Sequence, residues 1–540
     1  MSPILIGYIR PEPTTWVVLS IFAVIGLFFV FHRFWSMRNL DILLILAFVP
    51  GFMMVYEGRR ATIVETAMAS GIAPTASADD ADRDDAARGD TARDDTAKDD
   101  TAREGEAHPG DSQNASAPGV SQPASETVPS QDERSTVGQS DGSESEPPRP
   151  EATNASPVLV SAAPIHAGRS LLYWGFLNLL ICAGLLAARM LLDTAIVRRP
   201  LLEPNLNSGG MLFIGTSLLV FLLVNVATST REEHRQQGPD LGPGYVLLSA
   251  LPKIPTDHFE IVDGKPEPAK VEVPNSVRDA RLDMTARILT IASNLALICC
   301  IVGIGYWHFG SFNTGVGAAT LYLLLPYTAF TMGRVDHVVP GALLLLALLM
   351  YRQPLIAGLF LGCAAGVTYY PFSLLPLWCS FYWPRGIRRF ATGFVTALVA
   401  LIIAMAVLQP TDLAIHLGYM FGIKPVAMTD MDGVWGLGWH PFIRIPIIVL
   451  FVLLSMSFVV WPAQKNLATL MSCTAALMAA TQFWHGFGGG LYMSWFLPLA
   501  ILTVFRPNLD YLVALEVVRP WKRRAKPIKS ELVDNSNLAA

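Results

Sequence analysis

The sequence predicts an all-α, polytopic transmembrane bundle carrying one long polar insert. Three observations predict it. Apolar runs of roughly twenty residues recur along the chain, the length that crosses a hydrocarbon core of about 30 Å. Of 540 residues, 52% are hydrophobic and only 15% charged, more apolar sequence in longer runs than a soluble core hides. Lys and Arg collect in alternate connectors, the pattern that orients a multi-pass protein.

The first span runs from Thr15 to His32 and the second from Leu40 to Tyr56, with Arg33 and Arg38 between them. Only Arg10 precedes the first run, which therefore reads as a span and not as a cleaved signal. These two spans make up 1–56. Residues 57–169 are polar and acidic, with five tandem pentads (RDDAA, RGDTA, RDDTA, KDDTA, REGEA) from Arg83 to Ala107. Such a segment buries too little apolar surface to offset its ordering entropy, so a disordered low-complexity linker is expected. Asn114-Ala115-Ser116 and Asn154-Ala155-Ser156 within it match the glycosylation acceptor pattern.

The main bundle occupies 170–508. Spans Ser170–Leu192 and Met211–Ala227 flank Arg198 and Arg199. A polar, Pro-rich loop over 228–284 reads as irregular. Nine more spans follow: Thr285–Trp307, Asn313–Thr331, Val335–Met350, Pro354–Tyr369, Pro371–Trp383, Phe390–Leu408, Phe442–Trp461, Asn466–Trp484 and Leu491–Phe505. The total is about thirteen. A second loop covers 409–441, and 509–540 is a basic tail with Arg519, Lys522, Arg523, Arg524 and Lys526. The six cysteines all lie in apolar runs and read as small hydrophobes, not as a disulfide or metal framework.

The basic connectors, with Arg352, Arg385, Arg388, Arg389 and Lys465, share one side when the chain turns at Tyr370. That side is cytoplasmic. The expected location is the cell membrane, with the N-terminus and acidic linker outside and the C-terminus inside. Arg59 and Arg60 are exceptions to the scheme.

Chemistry is sought where charge meets a span. Arg334, Asp336 and His337 open the run Val335–Met350. Asp336 suits a helix N-terminal cap, a partner for Arg334, or a ligand-contacting acid at the bundle mouth. His337 is either a hydrogen-bonded structural group or a group active near neutral pH. In the loop 228–284, Glu232, Glu233 and Asp240 are candidate general bases, or simply solvated charge. In the loop 409–441, Lys424 and Trp439 are candidates for a phosphate and a sugar ring. The tryptophans there and at Trp484 and Trp495 equally suit an interfacial belt. No nucleotide loop, zinc motif, Ser-His-Asp set or nucleic-acid module is visible, so no nucleic-acid partner is expected.

The central stretch carries Gly333-Arg334-Val335-Asp336, then Arg352-Gln353-Pro354, then Ala357-Gly358-Leu359-Phe360-Leu361-Gly362, then Thr368-Tyr369-Tyr370-Pro371. In this order it resembles the polyprenyl-phosphate-sugar-dependent glycosyltransferases of the GT-C superfamily, in particular the bacterial mannosyltransferase-like branch. The resemblance covers about 286–400. It implies a lipid-linked sugar donor as substrate, a glycan or lipid acceptor outside, and no separate cofactor. It also implies an outer-loop acid as base (Glu232, Glu233 or Asp240), with Arg334, Asp336, His337, Tyr369, Tyr370, Lys424 and Trp439 around the substrates. Tyr369 stands where the pattern has Lys, and the extra spans and insert precede the outer-loop acid. A transporter or flippase, or a catalytically degenerate scaffold, remain the alternatives.

Overall fold

A computed structural model describes residues 13–69, 167–195, 202, 204–228, 259–262, 265–268, 277–408, 413–414, 417, 433–486 and 491–520. Contacts divide the chain into two units, and all described residues belong to one of them. The second unit, Thr75–Ala162, holds the pentads and both acceptor tripeptides and lies outside the described residues.

The described fold is helical. α1 is Pro13–Phe28, α2 Met37–Leu46, α3 Phe48–Ala69, α4 Ala167–Leu192 and α5 Ser208–Thr228. A short antiparallel hairpin pairs β1 (Phe259–Val262) with β2 (Lys265–Pro268), inside the loop expected to be irregular. Then come α6 (Val277–Trp307), α7 (Phe312–Leu324), α8 (Pro326–Thr331), α9 (Val335–Leu349), α10 (Pro354–Val367), α11 (Leu375–Tyr382) and α12 (Ile387–Leu408). The chain closes with α13 (Arg444–Ser457), α14 (Leu467–Thr481), α15 (Leu497–Phe505) and α16 (Ala514–Val517). Among the described residues, five helical stretches are long and apolar enough to cross a membrane: Met37–Thr62, Gly168–Ala195, Ser208–Ala227, Met284–Trp307 and Ile387–Val407.

Several expected spans are divided, and proline explains most divisions. Pro50 cannot donate to the Leu46 carbonyl, and α2 ends at Leu46. Pro326 occupies the first position of α8 and splits the expected span Asn313–Thr331. The expected span Leu491–Phe505 starts as a 3₁₀ turn, Met493–Trp495, and becomes helical only at Leu497, beside Pro498. In the other direction, α3 continues to Ala69, thirteen residues past Tyr56 and into the segment expected to be disordered. Its Ala-, Met- and Glu-containing sequence suits a helix, and the Gly58 face lies against Leu172 of α4.

In a bilayer, helices associate through close packing of small residues and not through burial from water. α3 and α4 run antiparallel: Gly51 meets Gly175 and Asn178, Gly58 meets Leu172, and Thr62 meets Gly168. α10 and α12 run parallel: a Cβ on Gly358 would strike Phe390, on Gly362 Phe394, and on Gly366 Leu401. Parallel neighbours require the intervening segment, the 3₁₀ turn Tyr370–Leu374 with α11, to return along the bundle between them.

The central helices are short. α9 and α14 have 15 residues each, α10 has 14 and α15 has 9. At 1.5 Å per residue they reach about 22, 21 and 14 Å, less than a hydrocarbon core of about 30 Å. α14 and α15 are buried nearly all round, whereas α5 and α12 are the most exposed of the long helices. Short α14 and α15 thus lie in the interior of the described unit.

Candidate functional site

Two corners of the chain meet at one end of these helices. The first opens α9. Pro340 inside this helix leaves the Asp336 carbonyl without its usual N–H donor. The Trp495 indole donates to that carbonyl instead, at 3.2 Å. The Ser494 hydroxyl donates to the next carbonyl, His337. Gly341 permits this docking, because a Cβ there would strike Ser494. The turn Met493–Trp495 is therefore moulded onto the first turns of α9.

Asp336 and His337 are both buried. Arg334 is the N-cap of α9 but caps nothing with its side chain, and Asp336 lies in the first turn, so Asp336 is not itself the cap. The carboxylate is 3.8 Å from Arg334 Nε and 3.9 Å from His337 Nε2, ion-pair range beyond a hydrogen bond. His337 Nδ1 is hydrogen-bonded to the Tyr327 hydroxyl at 2.7 Å, and its ring stacks on Tyr492 at 4.5 Å.

The second corner is Thr368–Pro371. The Tyr370 hydroxyl and His485 Nδ1 are hydrogen-bonded, and both side chains are buried. His485 lies in the turn after α14, edge-on to Tyr492 at 4.8 Å. Tyr492 thus touches both histidines and joins the corners. Burial pushes His485 down to about 3, with Arg444 and His337 pushing the same way and Asp336 opposing. The ring is neutral at physiological pH. Tyr369 stacks on Tyr370 at 4.3 Å and leans on Trp484 at 5.9 Å. Arg444 Nε donates to the Trp484 main-chain carbonyl at 2.7 Å, setting a cation at this corner.

The arrangement offers a buried carboxylate, two imidazoles, four phenols and two guanidinium groups within one aromatic wall. Groups of these kinds hydrogen-bond anions and hydroxyls and exchange protons. Trp484 and Trp495 are buried in this wall, so they are not part of an interfacial belt. Trp439 packs edge-on to Trp435 at 6.4 Å, and the turn Gly433–Leu437 lies on α4. Glu232, Glu233, Asp240 and Lys424 lie outside the described residues.

Sequence reasoning passed over Tyr327, Tyr492 and Ser494, which carry no charge to mark them. It also passed over a buried ionic chain at the opposite end. Arg189 reaches Asp41 Oδ1 at 2.6 Å and Asp193 Oδ1 at 3.3 Å, and Arg506 reaches Asp193 Oδ2 at 2.6 Å. An arginine within the apolar run Ser170–Leu192 was its signal. The six cysteines are all free. Comparison with protein-family models, with curated proteins and with solved structures finds no match to this chain.

Proposed function

We propose that this chain is an integral membrane glycosyltransferase-like protein that transfers a sugar from a polyprenyl-phosphate donor to a glycan or lipid acceptor. One observation supports the reading: the buried pair Asp336–His337 and the buried pair Tyr370–His485 are joined through Tyr492 at one end of the short helices. A donor with a lipid tail and a phosphosugar head needs polar groups beside apolar helices, and the reading assigns that task to this cluster. In the transfer, the bond from the sugar C1 to the phosphate oxygen breaks and a bond from C1 to the acceptor oxygen forms. An acid of the loop 228–284, Glu232, Glu233 or Asp240, takes the acceptor proton. Arg334, Arg444 or Lys424 offsets charge on the departing phosphate, a task that Tyr369 cannot perform. Asp336, His337, Tyr370 and Trp439 line the substrates. The reading includes about thirteen crossings, with the cluster outside and the C-terminus cytoplasmic.

The test is transfer of labelled sugar from a polyprenyl-phosphate donor by the full chain in proteoliposomes. Asp336→Ala should lower the rate at least about 100-fold if it contacts the reacting groups. Full activity of Asp336→Ala, Glu232→Ala and Glu233→Ala would remove the assigned roles. A second reading, a flippase, is favoured by the interrupted helices at Pro326 and Pro498. Donor scrambling across the bilayer with no transfer would select it.

A further inference from the structure

We propose that Trp383, Arg385, Arg388 and Arg389 form a seat for anionic phospholipid headgroups at the end of the bundle opposite the polar cluster. The inference is independent of any transfer activity. Arg388 and Arg389 occupy the first turn of α12, where the helix dipole disfavours cations, and no acid accompanies them there. Something other than helix stability therefore accounts for them. Arg385 and Arg389, one turn apart, reach residues of the tail that are also one turn apart. Arg385 Nη1 donates to the Leu515 carbonyl at 2.6 Å, and Arg389 Nη1 to the Arg519 carbonyl at 3.3 Å. A carbonyl orients the Arg385 guanidinium without neutralising it, and that bond uses one of its five N–H donors. Glu516, the acid between the two carbonyls, is exposed. Among the described residues, no carboxylate forms an ion pair with Arg385 or Arg388.

The seat is rigidly placed. Gly386 has φ +104° and sits against Pro354, which fixes the turn Trp383–Gly386 on the start of α10. Its flanks are apolar and open: Trp383 is 76% exposed and Leu515 59% exposed. An exposed indole beside clustered arginines, at the ends of apolar helices, matches a headgroup with its glycerol and upper acyl carbons better than a soluble anion. Arginine forks suit phosphate oxygens in particular.

The full chain in nanodiscs of phosphatidylcholine, with or without phosphatidylglycerol, tests this through the thermal unfolding midpoint and through lipids retained in native mass spectrometry. Phosphatidylglycerol should raise the wild-type midpoint and remain bound. Arg385→Gln/Arg388→Gln/Arg389→Gln should lose most of that shift and the retained lipid, and the corresponding Lys variant should keep a part of both. If the triple variant misfolds, Arg388→Gln alone, whose side chain touches no tail carbonyl, should still reduce retention. Arg33→Gln/Arg352→Gln should leave the effect intact. An equal shift in wild type and triple variant, an equal loss in the Arg33/Arg352 control, or the same shift from soluble glycerophosphate would each overturn the proposal.

Discussion

At the scale of single residues, Asp336 holds its place through its main chain as much as its side chain. Pro340 frees the Asp336 carbonyl, and the Trp495 indole takes it up. Trp495→Phe should therefore cost about 1–3 kcal/mol, the usual cost of an unsatisfied buried carbonyl. Pro340→Ala in that background should recover part of the loss, because alanine at that position brings back a backbone N–H for the Asp336 carbonyl; chemical unfolding in detergent measures both. His485 supplies a pH test. Burial lowers it from 6.5 to about 3, and burial likewise lowers His308 from 6.5 to about 4. Both rings are neutral in the folded chain and protonate in the unfolded chain below 6.5. Their stabilisation is complete above that pH and falls as pH drops towards the folded values, by up to about 1.4 kcal/mol per pH unit for each. The unfolding midpoint should decline on acidification below pH 6.5, and His308→Gln/His485→Gln should flatten the decline.

At the scale of elements, glycines set helix spacing. A Cβ on Gly362 of α10 would lie 2.6 Å from the Phe394 carbonyl of α12, whereas Gly26 in α1 has no neighbour within 4 Å. Gly362→Ala should destabilise by about 1–3 kcal/mol through overpacking. Gly26→Ala should be neutral or stabilising by up to about 1 kcal/mol, since alanine favours helix. Parallel melts of the two variants decide the point. Helical elements were legible because apolar run length is a strong local signal, and Ser311 and Asn466 mark helix starts by capping. The divisions at Leu46, Leu325 and Phe496 were less legible, because a proline in an apolar run can kink, end or start a helix, and packing chooses. Of the site, Asp336, His337 and Tyr370 were legible as polar groups at span edges. Tyr327, Tyr492 and Ser494 were not, because only the fold brings them to His337. The tryptophan belt misread Trp495, since an indole at a span edge suits interface and interior alike.

At the scale of the whole described unit, the ionic chain Asp41–Arg189–Asp193–Arg506 ties α2 and α4 to the exit of α15. Each charge has an opposite neighbour, so the chain is neutral where water is scarce. Arg506→Met should cost about 3–5 kcal/mol by leaving Asp193 under-compensated. Arg506→Met/Asp193→Leu should recover part of it, a comparison that unfolding in detergent makes directly. The pairing of α3 with α4 has a consequence for how the protein can be made. Thr62 and Gly168 touch, so the end of α3 and the start of α4 lie side by side. A covalent connection between the two helices is then dispensable in principle. Two polypeptides made apart, the break lying anywhere between Ala69 and Ala167, should find each other through that glycine-lined seam and co-purify as one nicked protein. Gly51→Leu/Gly58→Leu in the shorter piece should keep them apart.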